Sequence, residues 1–193
     1  MRVLFCPIEE TIETAHLQNA LALLPEARRE KALKYHFKRD QYLCAKSYLL
    51  LQQGLREEFN ICDNPEWAYA EHGKPFLKDY PNIHFNLSHC PKGAVCAIDS
   101  KPVGIDIERC IFKEDLANFV LNDNELQQVL SAADKSIAFT TLWTMKESYM
   151  KLTGTGLVSN RKGLLNETVM QNFRFNTTVN SESEYVITYV QEK

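Results

Sequence analysis

No two cysteines in the sequence are spaced as CxxC, and it has neither a G-x-G-x-x-G nor a G-x-x-x-x-G-K-[ST] loop. It also lacks a long apolar run and an excess of basic residues. Each absence excludes something. Cys6, Cys44, Cys62, Cys90, Cys96 and Cys110 are scattered through apolar or mixed stretches, which argues for buried free thiols in a reducing compartment rather than a zinc site or a disulfide framework. The missing glycine loops exclude a dinucleotide fingerprint and a P-loop. The run at Met1–Pro7 is too short for a signal-peptide core, and Tyr48–Leu51 is stopped by Gln52 and Gln53. A cytoplasmic protein without a membrane segment is therefore expected, and the N-x-S/T triplets at Asn86, Asn166 and Asn176 carry no weight. A net charge of −3 speaks against a general nucleic-acid binder. With only seven glycines and seven prolines, collagen-like and low-complexity chains are excluded as well.

What is present is ordinary globular material: 45% apolar and 24% charged residues over 193 positions, enough for one domain or two small, closely packed ones. Residues 2–8 read as a strand. Apolar residues at helical spacing mark a helix from Glu13 to Leu24, Pro25 opens a second, and Asp40 is expected to cap a third over Tyr42–Phe59. Strands are predicted at Trp67–Ala70, Ile83–Leu87, Ala94–Ile98 and Val103–Ile107, with turn residues between them. Helices follow at 113–121, 124–132 and 135–153, then strands at Phe173–Val179 and Tyr185–Val190. The order strand, helices, strands occurs twice, with a seam at Lys101-Pro102. Grouped rather than alternating elements predict an α+β fold of two similar lobes, residues 1–101 and 102–193.

Two segments could carry chemistry. In Gly104-Ile105-Asp106-Ile107-Glu108 the strand period puts Asp106 and Glu108 on one face and the two isoleucines on the other. Two carboxylates at ~5 Å repel by roughly 3 kcal/mol at an effective dielectric of about 20. Either that face is open to water or a cation sits between them. In Trp143-Thr-Met-Lys-Glu147-Ser-Tyr-Met-Lys151 the helical period aligns Trp143, Glu147 and Lys151, a stripe that an ordinary surface pair would also produce. Taken together, the three carboxylates form an all-oxygen set suited to Mg²⁺, or Mn²⁺, with phosphate oxygens completing the shell, and the nearby lysine supplies a point charge for phosphate. Such a set fits phosphoryl or pyrophosphate chemistry.

These two motifs, about forty residues apart, resemble the two signature motifs of the 4′-phosphopantetheinyl transferase superfamily. Gly73-Lys74-Pro75 followed by His84-Phe-Asn-Leu-Ser88-His89 is similar to the family's coenzyme A-contacting segment, and Gly154-Thr-Gly156-Leu157 to the loop after its second motif. Both halves in one chain resemble the larger, surfactin-synthetase-activating (Sfp) type, which implies a monomer with internal pseudo-twofold symmetry and an active site in the cleft between the lobes. The resemblance implies transfer of the phosphopantetheine arm of coenzyme A to a serine of an apo acyl, peptidyl or polyketide carrier protein, with release of adenosine 3′,5′-bisphosphate. It implies that Asp106, Glu108 and Glu147 ligate the metal, that Glu147 helps deprotonate the serine, and that Lys151 meets the scissile phosphate. Lys74, Ser88 and His89 match residues at the nucleotide end of coenzyme A, and Arg28 and Lys31 match positions that bind its phosphates. The family arginine shortly after Asp40 is replaced here by Gln41, Tyr42 and Leu43, which leaves Lys38 or Lys46 to compensate. Both lie in a basic stretch, Glu26 to Lys46, with seven basic residues against three acidic ones. A Mg²⁺-dependent phosphohydrolase and a coenzyme A- or carrier-binding protein without catalysis are the competing readings.

Overall fold

The computed structural model describes residues 1–8, 11–156 and 161–193. The first half contains β1 (Arg2–Pro7), α1 (Thr14–Ala22), α2 (Glu26–Leu33), α3 (Lys38–Phe59), β2 (Trp67–Tyr69), β3 (Pro75–Leu77), β4 (His84–Cys90) and β5 (Gly93–Asp99). The second contains β6 (Gly104–Arg109), α4 (Glu114–Val120), α5 (Asp123–Ser131), α6 (Lys135–Thr153), α7 (Glu167–Asn172), β7 (Phe173–Asn180) and β8 (Tyr185–Glu192). One antiparallel sheet runs β1-β5-β4 and another β6-β8-β7, with β2 and β3 forming a small hairpin. In both halves the first strand pairs with the last, and the last with the strand before it. A long helix covers each sheet, α3 in the first half and α6 in the second. This is the two-lobed α+β plan expected from the element order.

Burial follows the two-residue strand period. Every residue from Gly93 to Ile98 is buried, because β5 is covered on both faces. Ala94, Cys96 and Ile98 pack with Leu43, Leu51 and Leu55 of α3. Val95 and Ala97 pack with Ile105, Ile107 and Ile187 of the other lobe. The isoleucines of β6 thus turn toward the seam, and Asp106 is left facing α6. Gly104 permits that arrangement: a Cβ there would lie 1.9 Å from the carbonyl oxygen of Ser148, so only glycine lets β6 approach the α6 backbone. The edges of β4 and β6 are bridged by a side chain, with Asn86 Oδ1 accepting the Ile105 N–H at 2.9 Å.

Several details differ from expectation. α3 starts at Lys38 with Phe37 as its N-cap, so Asp40 is not a cap; it lies in the first turn, where the helix dipole favours a carboxylate. β3 is only three residues long and begins on a proline, too short for an alternating pattern. α7 spans six residues and is marked only by its cap, Asn166, whose Oδ1 accepts the Val169 N–H at 3.0 Å. All six cysteines are free, but Cys62 is exposed rather than buried. Among the described residues no helix is long and apolar enough to cross a membrane.

Candidate active site

α6 positions the second motif. Asp134 caps it by accepting the Ser136 and Ile137 N–H groups at 2.9 and 3.0 Å, and Gly154 closes it in the left-handed region at φ 69°. One helical turn then separates Glu147 from Lys151 on the side facing β6. Lys151 Nζ donates to Asp106 Oδ1 at 2.5 Å and to Ser88 Oγ at 2.8 Å. Ser88 Oγ donates to the same Asp106 oxygen at 2.8 Å. A serine from β4, an aspartate from β6 and a lysine from α6 therefore form one closed triangle across the two lobes. Asp106 is 2% exposed, which excludes an outward acidic face. Its other oxygen, Oδ2, is buried without a hydrogen-bond partner. An orphaned carboxylate oxygen is costly to bury and fits a cation in this position.

Burial and then the Asp106 carboxylate push Glu108 up to about 7, with Lys151 and a hydrogen bond from Trp143 opposing and Glu147 adding to the rise. Burial and Asp106 likewise raise Glu147, against the pull of Lys151 and Arg161. The three carboxylates thus feel one another, as the strand and helix periods suggested. Among the described residues, however, no three His, Cys, Asp or Glu side chains are gathered into a preformed metal cage. The cation resting on Asp106 is Lys151.

The pH dependence of folding has a definite sign. Glu108 titrates near 7 in the folded chain against an ordinary 4.5, so its neutral form favours folding. That contribution is complete below the unfolded value and is lost as pH rises through 7. Without divalent metal, urea midpoints from pH 5 to 8 should therefore decline more steeply for the wild type than for Glu108→Gln. Equal slopes would contradict the shift.

A cleft of about 280 Å³ opens beside the triangle, lined by His72, Lys74, Pro75, Asn86 and Leu87 from the first lobe and Glu147, Met150, Lys151, Gly154 and Gly156 from the second. Lys74 reaches across to α6, donating to the Leu152 carbonyl at 2.6 Å, and burial lowers its pKa. His89, on β4, is exposed and is not among the residues that line this cleft. Desolvation on its protein side and the Lys151 ammonium hold its imidazole below the usual value, so it serves at neutral pH as a hydrogen-bonding rather than a charged group.

The structure does not bring Arg28 and Lys31 to this cleft. They line a second cavity of about 550 Å³, together with Trp67 and Tyr69 of β2. Arg28 lies 3.9 Å from the Trp67 ring centroid and Lys31 lies 5.6 Å from that of Tyr69. Neither Lys38 nor Lys46 lines the cleft in place of the missing arginine. Lys38 donates to Thr14 Oγ1 at 3.1 Å, and Lys46 lies over the Tyr42 ring. Leu157 lies outside the described residues. Three residues escaped the sequence reading. Trp143 donates to Glu108, Asn86 ties the lobes, and Arg161 lies 5.7 Å from the Trp143 ring centroid. Trp143 alone had a signal, as the first member of the Glu147 stripe.

Two α+β lobes of similar plan, with a cleft lined from both that holds Lys74, Glu147 and Lys151, define a two-lobed class of protein. Comparison with known proteins gives the family. The profile of the 4′-phosphopantetheinyl transferase superfamily matches residues 102–190, and that of the 4′-phosphopantetheinyl transferase N-terminal region matches residues 11–102. The chain is 36% identical over 163 residues to the 4′-phosphopantetheinyl transferase gsp of Aneurinibacillus migulanus, covering 81% of this chain and 67% of that protein. It is 31% identical over 142 residues to the 4′-phosphopantetheinyl transferase Sfp of Bacillus subtilis, covering 71% and 63%. A mouse L-aminoadipate-semialdehyde dehydrogenase-phosphopantetheinyl transferase is 30% identical over 156 residues, covering 72% and 50%. The chain belongs to the 4′-phosphopantetheinyl transferase superfamily and is of the Sfp type. It spans between half and about two thirds of the length of these three relatives.

Proposed function

We propose that the protein transfers the 4′-phosphopantetheine arm of coenzyme A to a serine of an apo carrier protein in a Mg²⁺-dependent reaction. The observation that carries this reading is the triangle of Ser88, Asp106 and Lys151, whose lysine lines a cleft reached from both lobes, with Asp106 Oδ2 left without a partner. Residues 1–101 and 102–193 serve as the lobes, and a single chain supplies the whole site. The serine oxygen forms a bond to the pantetheine-side phosphorus, the bridging P–O bond breaks, and adenosine 3′,5′-bisphosphate leaves with the electron pair.

In this reading Asp106, Glu108 and Glu147 hold the metal. Mg²⁺, or Mn²⁺, would supply Lewis-acid neutralisation of the diphosphate. Glu147 accepts the serine proton, for which its raised pKa suits it. Lys151 moves from Asp106 to the phosphate, where it balances the charge that develops in the transition state. Lys74, Ser88 and His89 hold the nucleotide end. Arg28 and Lys31 hold phosphate that reaches the cavity they line.

The test is intact-mass spectrometry of a panel of apo acyl, peptidyl and polyketide carriers incubated with coenzyme A and Mg²⁺. The expected result is a gain of one phosphopantetheine per carrier, abolished by chelation. No gain on any carrier would overturn the proposal, and the panel also identifies the preferred carrier class.

A further inference from the structure

The largest of the clefts described lies elsewhere. About 680 Å³ in volume, it falls within the ~300–1,000 Å³ range of small-molecule sites. It shares no lining residue with the cleft at Lys151. Turns and strand ends of both lobes build it: Arg39 from the first turn of α3, Lys92 from the β4–β5 turn, Arg109 from the end of β6, and Ser183 and Tyr185 around the β7–β8 turn. The floor is apolar, with the Phe5 and Tyr185 rings 5.2 Å apart.

Its charge is unbalanced. Among the described residues three cationic side chains line the cleft and no acidic one does. The nearby carboxylate of Glu184 is exposed and reaches only Lys92, at 3.8 Å. Arg109 makes no ion pair among the described residues. Arg39 spends one guanidinium nitrogen on the Pro91 carbonyl at 2.5 Å, while its Nε is shut off from water without a partner. A guanidinium donor closed off in this way needs an acceptor, and a pair of planar forks matches an oxyanion better than it matches chloride. The low-dielectric walls concentrate the positive field in the cleft.

We infer that this inter-lobe cleft is a second binding site, for a phosphate-class oxyanion, free or carried on a small organic body, with Arg39 and Arg109 as its principal contacts. The site is independent of the transferase cleft and of the reading given to it.

An NMR titration of the full chain resolves it locally. Inorganic phosphate at low ionic strength should shift the Lys92, Arg109 and Ser183 amide signals saturably, and affinity should fall at least tenfold in both Arg109→Ala and Arg39→Gln. Arg109 is exposed, so its substitution leaves the fold intact even if Arg39→Gln disturbs the Pro91 turn. A parallel titration with adenosine 5′-monophosphate identifies the source. Tighter binding than that of phosphate assigns the apolar floor to an organic body, and equal binding assigns the site to the free anion. Signals that stay unmoved in the wild type, or that move in both variants with the wild-type affinity, overturn the inference.

Discussion

If the proposed function holds, Glu147→Gln should fold normally and transfer phosphopantetheine roughly 10²–10³ times more slowly than the wild type, the loss typical when one preorganised charge is taken from a transition-state site. The substitution keeps volume and shape and removes only the ionisable oxygen. Glu147 faces Asp106 from one turn before Lys151, and burial has already made its charged form expensive. Its retention there is explained by a positive partner and a proton to accept. Glu108→Gln should lose a similar factor, because Glu108 shares the Asp106 field and is fixed by Trp143. Initial rates of carrier mass gain measure both, with thermal melts confirming the fold. A wild-type rate in either variant would remove the three-carboxylate set from the mechanism.

Lys146→Met should destabilise the protein by about 3–5 kcal/mol, the usual effect of removing one partner from a buried ion pair. Lys146 is 1% exposed, and its Nζ donates to Glu125 Oε2 and to the Arg161 carbonyl, each at 2.9 Å. Glu125 is committed to α5 by a reciprocal capping box with Asn122. Removing the ammonium strands a buried carboxylate and frees a backbone carbonyl. The double variant Lys146→Met/Glu125→Leu should regain most of that stability, since hydrophobic replacement of a whole buried pair is often neutral or better. Activity should recover less. The Arg161 carbonyl would still lack its tether, and with it the guanidinium that lies over Trp143. Urea denaturation separates the two effects. A double variant as unstable as the single one would show that packing, not charge, dominates here.

The strand period in β6 put Asp106 and Glu108 on one face and the helical period in α6 aligned Glu147 with Lys151, because both patterns are local; that the two faces meet rested on the family resemblance. The bonds of Ser88 to Asp106 and Lys151 were not legible, since they join residues from three elements of two lobes. Asn86 was visible as part of an N-x-S triplet and of the segment His84–His89, but its buried bond to Ile105 is purely tertiary. Element boundaries slipped where the signal was a single residue. Asp40 looked like a cap, and tertiary packing began α3 earlier. That Arg28 and Lys31 line a different cavity from Lys74 and Lys151 is a matter of tertiary packing, which local periods do not carry.

Lys151 lies on Asp106 much as an ion lies on an exchange resin, with the difference that α6 tethers it. Under the proposed function, Asp106, Glu108 and Glu147 would hold a divalent metal where the ammonium now rests, and the tether would keep the displaced charge within reach of the cleft. Monovalent salt ions cannot match a cation whose local concentration is fixed by covalent attachment. The resting site should therefore be insensitive to sodium or potassium and responsive to divalent ions.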